Sequence, residues 1–105
     1  MIKLNTQAIF LLAIHLKREN MRLDKFLKVS RLIKRRTVAK DACDSGRVTI
    51  NGKVSKAGTV ITEGDIIEIV YASRKVRAKV LDIREVVRKD DAAAMYEILE
   101  GAEIE

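Results

Sequence analysis

The stretch from Arg22 to Gly52, RLDKFLKVSRLIKRRTVAKDACDSGRVTING, constrains the fold more than any other part of the chain. Leu23, Phe26, Leu27 and Ile33 fall on one side of a helical wheel, with Ser30 among them, and Lys25, Lys28 and Arg35 fall opposite. Asp24 suits the positive end of the helix dipole. This helix is expected to stop between Ser30 and Arg36. Thr37 is a suitable N-cap for a second helix, TVAKDACDS, whose apolar stripe is Val38, Ala39, Ala42 and Cys43. Gly46 is placed for the left-handed residue that ends a helix. Val48-Thr49-Ile50 alternates like a half-buried strand, and Asn51-Gly52 supplies the positive φ angles of a tight hairpin.

The rest of the chain completes a core around this stretch. Val54 begins the return strand, Val60 and Ile61 are apolar again, and Glu63-Gly64-Asp65 signals a turn. Ile66 to Tyr71 is β-branched and partly alternating, the strongest strand pattern present. Val76 to Ile83 alternates and predicts another strand, reached across Ala72-Ser73-Arg74-Lys75. Asp91 is placed to cap a final helix through Ala92–Leu99, ended by Gly101. The expected architecture is one α+β domain of two short helices on a small, mainly antiparallel sheet, with a C-terminal helix. Residues 1–20 read as an N-terminal extension: Ala8–Ile14 is apolar but far short of the roughly 20 residues that span a bilayer, and Met21 stands where the organised stretch begins.

Charge is distributed unevenly. Met21–Lys56 holds eleven Lys/Arg against three Asp, a net of +8, while Val76–Glu105 has a net of −3. A concentrated cationic face is the footprint of a polyanion partner. Its candidate residues are Arg22, Lys25, Lys28, Arg31, Lys34, Arg35, Arg36 and Lys40, extended by Arg47, Lys53 and Lys56 on the hairpin side. Arginine suits phosphate because its planar fork donates two parallel hydrogen bonds. Aromatic side chains are few (Phe10, Phe26, Tyr71 and Tyr96), so base stacking is not expected to be the main mode of binding, and backbone and shape recognition of folded RNA fits better. A helix-turn-helix reading on duplex DNA is the rival, but Lys40, Asp41 and Asp44 give the second helix few base-reading groups. A catalytic reading lacks its parts: no phosphate loop matches, and the single histidine, His15, lies in the leader. Cys43 and His15 do not make a zinc site, no cofactor is implied, and Cys43, at helical spacing from Ala39, reads as core.

These residues resemble the S4-type (alpha-L) RNA-binding fold, named for a small-subunit ribosomal protein. The resemblance rests on Arg22-Leu23-Asp24, Arg36, Ala39, Gly46, Val48 and Asn51-Gly52, and covers about residues 22–72. The short chain is similar to small stand-alone S4 proteins of the RqcP-like group, which act in ribosome-associated quality control, with the heat-shock S4-domain recycling proteins as cousins. The resemblance implies an S4-type domain over 21–75, followed by a C-terminal strand and acidic helical tail over 76–105. It implies a non-catalytic cytoplasmic monomer that contacts large-subunit rRNA and peptidyl-tRNA beside a tailing factor that recruits alanyl-tRNA. Arg22 and Arg36 are the first residues expected to touch RNA, and Asp24 is expected to orient a neighbouring arginine or cap the helix. An appendage of an RNA-modifying enzyme is a further reading.

Overall fold

Leu23, Phe26 and Leu27, the apolar face of the first helical pattern, are fully buried. The computed structural model that shows this describes residues 20–84 and 88–104. A two-residue strand, β1 (Met21–Arg22), runs straight into helix α1 (Leu23–Val29). The helix ends at Ser30, as the pattern predicts, and Arg31 reverses the chain at φ +64°. The second helix, α2 (Arg36–Asp44), starts one residue before its expected cap. Arg35, in extended conformation, is the N-cap, and Thr37 sits inside the first turn. No side chain caps this end, and the Arg35 carbonyl accepts the Ala39 N–H at 3.0 Å. Ala39 and Ala42 are fully buried, and these small residues let α2 lie close to α1. Gly46 follows Ser45 at φ +75°, as expected.

The strands β2 (Val48–Ile50) and β3 (Lys53–Val54) form the hairpin, with Asn51 at φ +52° and Gly52 at φ +85°. Few residue pairs other than Asn-Gly tolerate two successive left-handed positions. Asn51 does more than turn. Its Nδ2 donates to Asp65 at 3.0 Å and its Oδ1 accepts the Ile66 N–H at 2.9 Å. The side chain thereby ties the hairpin to the start of β5 (Ile66–Tyr71). The short β4 (Val60–Ile61) pairs antiparallel with β1, which brings the chain back beside the start of α1.

Strand β6 (Arg74–Val80) begins two residues before its expected start, because Ala72 at φ +54° makes a tighter turn than the pattern suggested. The expected C-terminal helix is corrected. Only one turn, α3 (Lys89–Ala92), and a 3-10 turn (Ala93–Met95) are helical, and Tyr96–Glu100 forms a strand, β7, antiparallel to β6. The three alanines favour helix, but YEILE alternates. Tyr96 is buried and Ile98 partly buried, while Glu97 and Leu99 face solvent. Pairing with the open edge of β6 overrides local propensity there. The resulting five-stranded sheet has the order β3-β2-β5-β6-β7, antiparallel throughout.

Helices and sheet share one core, in which Phe26, Leu27 and Leu32 meet Val48, Ile67, Ile69, Val76 and Val80. The last described residues close it. Gly101 turns at φ +82°, and Ile104 forms a parallel bridge with Ile33. The Ile104 N–H donates to the Leu32 carbonyl at 2.7 Å, and the Lys34 N–H donates to the Ile104 carbonyl at 3.3 Å. The chain end therefore straps the loop that joins α1 to α2. Apart from Asn20, the expected leader lies outside the described residues, as does His15. Among the described residues, no helix is long and apolar enough to cross a membrane.

Candidate nucleic-acid interface

The centre of the basic surface is a buried acid. Asp24 is 3 % exposed and occupies the first turn of α1. Its carboxylate accepts Arg22 Nε at 3.2 Å, Arg22 Nη2 at 3.4 Å and the Lys25 backbone N–H at 2.9 Å. Arg36, from the first turn of α2, brings Nη2 to 3.7 Å of the same carboxylate. Asp24 thus orients the neighbouring arginine, as expected, but it does not cap the helix: Arg22 is the N-cap and no side chain caps this end. The carboxylate satisfies the Lys25 N–H, and it draws two arginines from different elements to one point.

The two guanidinium-bearing side chains remain 54 % and 51 % exposed. Their outer N–H groups stay available to a second acceptor, since each guanidinium carries five donors. Arg22 also lies over Gly58, where an added Cβ would be 3.9 Å from its Cζ. An arginine held on one edge and open on the other has already lost much of its rotamer freedom. Less of that entropy is then lost when phosphate binds. Replacing Asp24 with Asn removes a negative charge from a cationic surface, so by net charge alone polyanion binding should tighten. We expect the opposite, a loss of about tenfold in RNA affinity, because the arginines lose their anchor. Equilibrium titration of D24N with tRNA at fixed salt decides which effect wins.

The remaining candidates fall into separate groups. Lys25 and Lys28 are partly exposed along α1, and Lys40 is exposed one turn beyond Arg36 on α2. These three lie on the two helices that carry Asp24 and Arg36. Lys53 and Lys56 are exposed on and beyond the hairpin, and Arg35 is exposed at the α2 N-cap. Arg47 stands apart: its guanidinium lies 5.4 Å from the centre of the Tyr71 ring, in a recess lined also by Asp41, Asp44 and Ser45. With an aromatic face beside it and two acids lining the same recess, Arg47 sits in a less cationic setting than the Arg22–Arg36 pair. Arg31 and Lys34 line a different cleft, against the C-terminal segment, with Lys89, Tyr96 and Glu103. Sequence reasoning missed Lys89, which lies 58 positions from Arg31 in the chain. Its partners depend on the β6–β7 pairing that the alanine run obscured.

The chemistry of the other polar groups is structural. Cys43 is 2 % exposed, and burial, with Asp24 and Asp44 nearby, pushes its thiol up to about 11. At pH 8 it should therefore resist alkylation in the folded protein and react only when the chain is unfolded, a difference that iodoacetamide labelling followed by mass spectrometry reads directly. Tyr96 donates its hydroxyl to Glu103 at 2.7 Å. Burial and that bond raise the Tyr96 hydroxyl, and the same bond holds Glu103 below its usual range. Glu103 thus contributes stability above the ordinary carboxylate pKa, and the contribution fades as pH falls through its lowered value. Among the described residues, no group of three or more His, Cys, Asp and Glu side chains is placed to hold a metal ion.

With this geometry in place, comparison with known proteins defines the class. The family model described as S4 domain matches residues 21–67, which span β1, both helices, the hairpin and the first two residues of β5. The chain belongs to the S4-domain family. Within it, the chain is 55 % identical over 78 residues to the RQC P-site tRNA stabilizing factor of Halalkalibacterium halodurans, covering 74 % of this chain and 89 % of that protein. It is 48 % identical over 79 residues to the protein of the same name from Bacillus subtilis, covering 75 % of this chain and 92 % of the relative. Among solved structures, heat shock protein 15 of Vibrio cholerae, solved as a trimer, superposes with a TM-score of 0.70 at 26 % identity. That match covers 76 % of this chain and 82 % of the other.

Proposed function

We propose that this protein binds large-subunit rRNA and peptidyl-tRNA without catalysis, and that it steadies the tRNA during ribosome-associated quality control of stalled chains. One observation carries the proposal: Asp24 holds Arg22 and Arg36 together, each about half exposed, at the junction of two short helices. The names of the relatives at 55 % and 48 % identity support the cellular setting. The mechanism is positional. Pre-oriented arginines, with Lys25, Lys28 and Lys40 from the same two helices, contact phosphates of a folded RNA, and the contact holds one RNA against another. A tailing factor that recruits alanyl-tRNA would act beside it, with this protein a cytoplasmic monomer.

A recycling role of the heat-shock type is the second reading. The superposition on the Vibrio cholerae protein favours it. The test is co-sedimentation with large subunits that carry peptidyl-tRNA, with a random-sequence DNA duplex as competitor. Retention on obstructed subunits despite excess duplex is the expected result. Release by the duplex, or equal binding to empty subunits, would contradict the proposal.

A further inference from the structure

Arg31 occupies a position that chemistry does not favour for it. It follows Ser30, the C-cap of α1, at φ +64°, the left-handed place where helices commonly end on glycine or asparagine. Its Nε is buried and has no hydrogen-bond partner. Backbone strain and an orphaned charged donor on one residue are each costly, and such costs gather where a side chain is kept for what it binds. Nothing in the turn itself requires arginine. The bonds that shape it come from the backbone and from Ser30: the Arg31 N–H donates to the Lys28 carbonyl, the Ile33 N–H to the Leu27 carbonyl, and the Ser30 hydroxyl bridges the Leu27 carbonyl and the Leu32 N–H.

The side chain lines a cleft of about 250 Å³ between the interhelical loop and the C-terminal segment. Lys34 comes from the same loop, and Lys89 comes from the start of α3. Ala92 and Ala93 give the cleft a small apolar wall. The one carboxylate, Glu103, accepts the Tyr96 hydroxyl. Lys34 already acts on Glu103, and Arg31 and Lys89 leave the lining net positive, which favours an anion. Tyr96 is 7 % exposed with its hydroxyl occupied, so the cleft has no free ring on which a base could stack.

We infer that the cleft lined by Arg31, Lys34 and Lys89 is a second phosphate-binding point, which takes a phosphodiester of the RNA held by the Arg22–Arg36 pair. The assignment rests on the RNA-binding reading above and adds a separate anchor to it. Turned toward the cleft, Arg31 presents its Nε–H and one Nη–H side by side to two phosphate oxygens, and the orphaned donor gains an acceptor. Lys89 then couples the C-terminal segment to RNA binding.

The test follows the Arg31 Nε–H resonance by NMR while intact protein is titrated with tRNA, and separately with inorganic phosphate. Three variants accompany it. Lys89→Gln removes one cation from an exposed position. Arg31→Gly removes the side chain and relieves the backbone, so its melting temperature should hold or rise. Arg22→Ala probes the first anchor alone. The expected result is a tRNA-dependent shift of the Arg31 signal, with affinity for tRNA falling about tenfold in Arg31→Gly and severalfold in Lys89→Gln. A shift with inorganic phosphate but not with tRNA would overturn the assignment to a phosphodiester. If Arg22→Ala loses affinity while the Arg31 signal and the other two variants stay at parent values, the second anchor falls and the first stands. If none of the three variants changes tRNA binding, both readings fall.

Discussion

Replacing Arg22 and Arg36 together with alanine is expected to lower affinity for large ribosomal subunits by about 100-fold while the fold persists. A hydrogen bond to a charged group is worth about 1.5–3 kcal/mol, and two contacts at the low end of that range correspond to a loss of this order. Both side chains are about half exposed, so their removal opens no cavity in the core. It does strip Asp24 of its charged partners and leaves the carboxylate with the Lys25 N–H. Some stability should therefore be lost, on the order of 1 kcal/mol, far less than for a core truncation. Thermal melts and co-sedimentation on the same preparations separate the two effects. A double variant that melts near the parent and sediments with subunits like the parent removes the proposed interface.

The second large effect concerns stability. Gly101→Ala should destabilise the protein by about 3 kcal/mol, which combines left-handed backbone strain with overpacking. At φ +82°, an added Cβ would lie 2.1 Å from the Lys75 carbonyl oxygen and 3.2 Å from Val76 Cα. Both neighbours are backbone atoms of β6, so neither can swing aside. Relief comes only if the tail lifts away. Ile104 would then leave the cover it gives to Leu32 and Ile33, and the loop carrying Arg31 and Lys34 would lose its strap. Urea denaturation gives the magnitude. Hydrogen exchange at the Ile104 amide shows whether the loss begins at the tail: that amide should lose protection before those of β5. A variant with parental stability and a protected Ile104 amide would contradict this account of the chain end.

The first half of the domain was legible because its signals are local. Leu23, Phe26 and Leu27 repeat at helical spacing, Gly46 ends α2, and Asn51-Gly52 turns a hairpin. Each depends on residues within a few positions. The second half was misread where a distant partner decides the outcome. Ala92–Ala94 argued for helix onward to Leu99, but the edge of β6 recruits Tyr96–Glu100 as a strand. Thr37 is likewise not the cap: the loop whose Leu32 to Lys34 pair with Ile104 is followed by an extended Arg35, which takes that place.

For the site, the cluster of cations was visible and its internal division was not. Asp24 could be suspected, being an acid beside Arg22. Its joining of Arg22 to Arg36 requires knowing how α1 packs on α2. Arg31 and Arg47 look equivalent to Arg36 in sequence. The structure places one in a cleft with Lys34, Lys89 and Glu103 and the other over Tyr71 in a recess lined by Asp41 and Asp44. Periodicity assigns faces to each helix. It does not say which faces of different elements converge.

The most direct test of the central claim is the salt dependence of tRNA binding. Each phosphate contact made by a cation contributes a slope of about one when log affinity is plotted against log salt concentration. The parent protein should give a steep line, and the Arg22→Ala, Arg36→Ala double variant a line shallower by about two. Parallel lines for the two proteins would mean that the arginines held at Asp24 do not touch phosphate.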